Sequence, residues 1–214
     1  LLNDDVEWRR RSLAGIREVF SRHTYAHRLN EIFDKIGVDQ HITMNPEILL
    51  IGRARDNEDK NEFLRYAENQ SYRHFRVLIE DWDQADPGTL ANGIELVSPG
   101  YFDSSLFAER ARQFQAVGWL SCSAAYGAHY LRDLVNAMLY QPDSSGWGKA
   151  LNEDAFRFNE PGLLTASLWV PGTFLEHSRQ VDSDWAIQRE DLFVIDSGEF
   201  NRAGAHGNGV ERQR

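Results

Sequence analysis

Residues 46–81 read PEILLIGRARDNEDKNEFLRYAENQSYRHFRVLIED, and the fold class turns on this stretch. EILLI (47–51) is a short apolar run with the length and branching of a buried strand. Asp56 follows as a side chain suited to capping a helix, and Phe63, Leu64 and Tyr66 supply that helix with an apolar face. FRVLI (75–79) is a second buried-strand run, closing on the acidic EDWD (80–83). Strand, helix and strand in that order make a β-α-β unit, which joins two parallel strands through a right-handed crossover. The chain is therefore expected to be α/β.

The alternation continues towards the C-terminus. Asp86-Pro87-Gly88 marks a turn, GIELV (93–97) reads as a third strand, and a helix is expected over about 104–115. A further strand runs into GWLSCS (118–123), and a helix over 128–140 carries Tyr130, Leu131, Leu134, Val135, Met138 and Leu139. Beyond Pro142, LLTASLW (163–169) and LFVI (192–195) are strand candidates. Between them, HSRQVDSDWAIQRE (177–190) has room for a short helix starting near Asp182 or Asp184. The polar stretch 203–214 reads as a flexible tail.

Towards the N-terminus the period changes to that of helices. After Asn3-Asp4-Asp5, Val6, Trp8, Leu13, Ile16, Val19 and Phe20 recur at helical spacing, then Tyr25, Leu29, Ile32, Phe33 and Ile36, with Gly37 as C-cap. The organisation expected is a helical extension over 1–40, an α/β domain over 44–202 and the tail.

Composition narrows the function classes. The 214 residues carry a formal net charge of −10, which argues against a general nucleic-acid binder despite the local Arg9–Arg11 run. No stretch approaches the roughly 18 apolar residues of a membrane span and no signal-peptide pattern opens the chain, so the default compartment is the cytoplasm. The single cysteine, Cys122, leaves neither an intrachain disulfide nor a cysteine-based zinc site.

Several stretches together resemble a known family. The segment 46–81, with its Gln-x-Tyr at Gln70-Ser71-Tyr72, resembles the opening strand–helix–strand of glycosyltransferase family 2-like proteins. GWLSCSAAYGAHYLRDLVNAMLY (118–140) is similar to the segment in which such enzymes run from an aspartate-rich turn into a helix. WGKA (147–150) and VDSDW (181–185) are similar to that group's Gly-Lys strand and acidic motif, and LFVIDSGEFNR (192–202) resembles its closing strand. The N-terminal IREVFSRHTYAHRLNEIF (16–33) is similar to the last helix of CgeB-like glycosyltransferases.

This resemblance implies a GT-A-like, Rossmann-like three-layer sandwich behind the helical extension. It implies a nucleotide-sugar donor and a glycan or other hydroxyl acceptor, with possible packing against an upstream or partner glycosyltransferase domain. In such enzymes a diphosphate leaving group is neutralised by a divalent metal on carboxylate ligands, and an aspartate takes the acceptor's proton. Carried over residue by residue, Asp182 is the base, Arg53, Asp81 and Asp83 contact the nucleotide, and Asp184 and Trp185 meet the acceptor. The metal turn departs from the pattern. Ser121, Cys122, Ser123 and Ala124 stand where its acids would be, and hydroxyls are poor ligands for a hard cation. No metal site and no cofactor are therefore expected, and the alternative is a catalytically inactive pseudo-glycosyltransferase that binds glycan or organises a partner.

Each candidate also has a plain structural reading. Asp182 and Asp184 before Trp185 suit a helix N-cap, Asp81 and Asp83 suit a solvated loop, and Arg53 and Arg55 have Asp56 and Glu58 as neighbours to pair with. Cys122 needs a partner base before it can be a nucleophile, and a small buried thiol is the simpler reading. His23 and His27 have the i, i+4 spacing of a metal pair but no evident third ligand. Trp119, Trp147, Trp169 and Trp185 suit either sugar stacking or core packing. A third function class is an α/β interaction domain whose helical extension packs on a partner.

Overall fold

The computed structural model describes residues 5–42, 45–83, 88–89, 94–149, 157–158, 162–178, 186–187, 192–195 and 200–202. The chain divides into two compact units, Leu1–Pro46 and Glu47–Arg214. The expected tail and the residues Asp182, Asp184 and Trp185 lie outside the described residues.

The first unit holds the two expected helices, α1 (Asp5–Arg22) and α2 (Tyr25–Ile36). The Thr24 hydroxyl accepts the His27 N–H and so caps α2, while Gly37, at φ 71°, ends it in the left-handed conformation that favours glycine. Asn30 fixes the segment that follows, since its amide both donates to the Ile42 carbonyl and accepts the Ile42 N–H. The two histidines are engaged separately. His27 Nδ1 lies 2.7 Å from Thr24 Oγ1, and His23 Nε2 lies 3.8 Å from Glu18, so their shared spacing does not gather them at one point.

The second unit is a three-layer, Rossmann-like α/β sandwich. In chain order it contains β1 (Ile48–Ala54), α3 (Asn57–Asn69), β2 (Phe75–Asp81), β3 (Gly88–Thr89), β4 (Ile94–Val97), α4 (Ser105–Ala111), β5 (Ala116–Trp119), β6 (Ala124–Tyr126) and α5 (Tyr130–Tyr140). Then come β7 (Gly146–Lys149), β8 (Arg157–Phe158), β9 (Gly162–Leu163), β10 (Ser167–Trp169), α6 (Pro171–Ser178), β11 (Ala186–Ile187), β12 (Leu192–Ile195) and β13 (Phe200–Arg202). The main sheet runs β3-β4-β2-β1-β5-β10-β7-β12-β8.

Strands β4, β2, β1 and β5 are parallel, as the β-α-β pattern requires. β10 is antiparallel to both neighbours, and β12 returns parallel to β7. Because the side chains of β1 alternate, Ile48, Leu50 and Ala54 join the core beneath α3 and α5, whereas Leu49 and Ile51 join Phe107 of α4 and Phe174 of α6 on the other face. At Gly52 an added Cβ would meet the Phe63 ring at 2.8 Å, so the glycine lets α3 lie close on β1.

Three expectations change in detail. The helix expected over 104–115 ends at Ala111, where Ala111 and the residues after it turn towards β5. LLTASLW is divided into β9, a 3₁₀ turn over Leu164–Ala166, and β10. α6 starts on Pro171, which suits a first helical position because its missing N–H is one the helix would leave unpaired.

Candidate functional site

In open α/β sheets the ligand edge lies at the carboxyl ends of the strands, where the strand order reverses. Here that point falls at β1, with β2 on one side and β5 on the other. The two sides differ in length. β1 pairs with β2 through Ala54↔Asp81 but with β5 only through Ile51↔Trp119. Beyond Trp119 one more hydrogen bond follows, Leu120 N–H to Ile51 O, so residues 52–55 extend past the pairing with β5.

Arg53 lies on the part of β1 that extends past β5. Its Nε donates to Glu80 Oε2 at 2.8 Å, and its guanidinium sits over the Trp119 ring, 5.1 Å from the centroid. Glu80 is fully buried, and its other oxygen accepts the Phe102 N–H at 3.0 Å. The buried carboxylate and the ring together fix the planar fork, a cation–aromatic contact reinforcing an ion pair. The two terminal nitrogens of Arg53 bond nothing among the described residues.

Arg55, two residues on, is held differently. Its Nε and Nη2 donate to the two oxygens of Asp59 at 2.9 and 3.2 Å, its N–H donates to the same carboxylate, and Nη2 reaches Cys122 Sγ at 3.7 Å. Asp59 is brought there because Asp56 caps α3 by accepting the Asp59 N–H. The Arg55 hydrogen bonds hold the Asp59 carboxyl well below its ordinary value, at about 2. Burial, and then Asp59, push the Cys122 thiol up, which keeps it protonated and a poor nucleophile.

Asp81 and Asp83 fall on the neighbouring strand end. Asp81 is buried; Lys60 Nζ approaches its Oδ2 at 3.0 Å and the Asp83 N–H donates to its Oδ1. Both oxygens are thus engaged from inside the protein, and Asp83 is the exposed acid of the pair. Trp82 between them is 62% exposed, with its N–H bonded to Ala54 O. The sequence reading passed over Trp82, although its place in EDWD at a strand's carboxyl end was the available signal. Trp119, Trp147 and Trp169 are buried in the core instead.

The Ser-Cys-Ser turn is ordered by its own hydroxyls. Ser121 Oγ and Ser123 Oγ lie 2.7 Å apart, and Ser121 N–H donates to the Tyr126 hydroxyl, which donates to Thr165 O. Gln70 ties the following segment down: its Nε2 donates to Gly127 O and its Oε1 accepts the Leu131 N–H. Ser71 adds its N–H to Ala128 O. The Gln-x-Tyr stretch and the start of α5, far apart in sequence, are therefore one structural unit. β13 pairs antiparallel with β6, the strand that leaves the turn.

Lys149, in the Gly-Lys strand, is fully buried and bonded to Asp133 of α5 at 2.9 Å. Between α3 and the 121–126 turn lies a cleft of about 210 Å³, lined by Phe63, Tyr66, Cys122 and Tyr126 among others. Among the described residues no cluster of three metal-ligating side chains occurs, and no helix is long and apolar enough to cross a membrane.

No protein-family model matches the chain, and no curated protein matches it.

Proposed function

We propose that this chain is a GT-A-like glycosyltransferase module that holds a nucleotide sugar at the carboxyl edge of β1, β2 and β5. The observation that carries this reading is Arg53, fixed by buried Glu80 and the Trp119 face with its terminal nitrogens left over for a phosphate. Trp82 offers an exposed aromatic face for a base or sugar ring, and Asp83 an acid for its hydroxyls. Asp81 acts from beneath, with Lys60, by fixing the strand end that presents both. Asp182 serves as the base on the acceptor hydroxyl, with Asp184 and Trp185 as acceptor contacts, in a cytoplasmic setting.

A second reading, a pseudo-glycosyltransferase that binds without transferring, draws on the Ser121–Ser123 hydroxyl pair at the turn where the family carries acids. A thermal-shift panel of nucleoside diphosphates with and without Mn²⁺ tests the shared claim. UDP or GDP is expected to raise the melting temperature of the native chain, and not that of Arg53→Ala. If no nucleotide shifts it, the nucleotide reading falls. Asp182→Asn then separates the two readings, because an active transferase loses turnover while keeping nucleotide binding.

A further inference from the structure

We infer that the helical first unit joins two copies of this chain, α1 of one lying antiparallel on α1 of the other, with the Trp8 ring of each copy seated at Gly15 of the second. The unit has no core of its own. None of residues 11–42 is buried. Eight of the twelve large hydrophobic side chains that stand exposed among the described residues belong to this unit, a concentration that marks an association surface rather than scattered surface apolars. Helices of 18 and 12 residues are marginal in water and draw their stability from packing an apolar face, so a face left open on both of them calls for a partner.

The shape of α1 says which partner. Trp8, Gly15 and Val19 fall at i, i+7 and i+11 and so share one face, with Trp8 62% and Val19 49% exposed. Gly15 sits inside the helix, where glycine is less stable than alanine, and a Cβ added there would meet nothing within 4 Å. Nothing inside the chain therefore requires a glycine at this place; a second helix lying close on that face does. Ring and notch are two turns apart on one stripe, so an antiparallel pair with its two-fold axis midway between them brings each Trp8 to the other Gly15, the reciprocal match of an isologous contact. Charge agrees. Arg11 is bonded to Glu7 at 2.7 Å and Arg22 meets Glu18 at 3.7 Å, both within the helix. Residues 1–46 carry seven Asp and Glu against seven Lys and Arg, which leaves the whole net charge of −10 on residues 47–214. A neutral unit lets two acidic chains meet, whereas an anionic lipid surface or nucleic acid calls for a cationic one. On α2, Tyr25, Leu29, Ile32 and Ile36 form a second exposed stripe at i, i+4, i+7 and i+11. With Trp8 and Val19 they present exposed surface on the order of the 800 Å² that each partner gives to a standard interface.

Sedimentation velocity of the native full chain over a concentration series tests this, with far-UV circular dichroism to establish that each variant keeps its helices. The native chain is expected to pass from monomer to dimer as concentration rises. Gly15→Trp sets ring against ring and Trp8→Ala sets notch against notch, so each alone is expected to weaken the dimer about tenfold. The two together exchange ring and notch and are expected to recover most of that loss, because in a two-fold pair the same contact forms again with the roles reversed. A native chain that stays monomeric, single variants that dimerise as the native chain does, or a double variant no tighter than either single overturns the inference. A monomer that is carried by phosphatidylserine vesicles also overturns it, giving the face to a lipid surface instead.

Discussion

Lys60 and Asp81 face each other at 3.0 Å, 7% and 1% exposed, and neither has water to fall back on. Removing one partner strands the other charge, so Lys60→Met is expected to destabilise the domain by about 3–5 kcal/mol. Adding Asp81→Leu to it should restore most of that loss; urea denaturation of the two variants checks both statements. Asp59 contributes through pH. Its folded value, about 2, lies below its unfolded value of 3.8, so its contribution is complete above that value and is lost as pH falls through about 2. Because Arg55 is largely exposed, solvent screens the pair and the effect should be small. Asp59→Asn should flatten that part of the acid limb. Cys122, its thiol pushed up by burial, should alkylate more slowly than a free cysteine at pH 8, as iodoacetamide kinetics would show.

At the scale of elements, Gln70 joins the end of α3 to the start of α5. Its amide spans Gly127 O and Leu131 N–H, and Gln70→Leu leaves the buried Leu131 N–H without its acceptor and removes one of two donors to Gly127 O, which keeps the Tyr130 N–H. The expected cost is about 1–3 kcal/mol, read by denaturation, with Gln70→Glu losing the donor to Gly127 and only partly rescuing it. The strand pattern of 46–81 was legible because apolar runs and a capping aspartate obey local rules. The pairing of Lys60 with Asp81 and Lys149 with Asp133 was not, since it joins residues 21 and 16 apart across different elements. Local spacing says that a charge is present; only packing says which opposite charge meets it. LLTASLW reads as one strand for a related reason. Its apolar continuity conceals the 3₁₀ turn at Leu164–Ala166, which tertiary pairing of β9 with β11 and β10 with β5 imposes.

For the molecule as a whole, the α/β class, the parallel pairing of β1 with β2 and the N-terminal helices are readable from periodicity. The antiparallel insertion of β10 between β5 and β7 was not, because sequence pattern gives no direction to a strand reached by a long connection. Arg53 is legible as a residue near the end of the first strand, but its anchoring by Glu80 and Trp119 requires the sheet to exist first. Every residue of the two apolar cores lies at Ile48 or later. A chain of residues 47–214 is therefore expected to unfold cooperatively by itself, as thermal denaturation followed by two probes would check.

The proposed nucleotide site lies at the carboxyl edge of β1, β2 and β5, on the anchored guanidinium of Arg53. Difference density from crystals soaked with UDP in EDTA tests it most directly. Phosphate density within hydrogen-bond reach of Arg53, with the ring near Trp82, is the expected result. Nucleotide density in the cleft between α3 and the 121–126 turn, or none at a saturating soak, would contradict it.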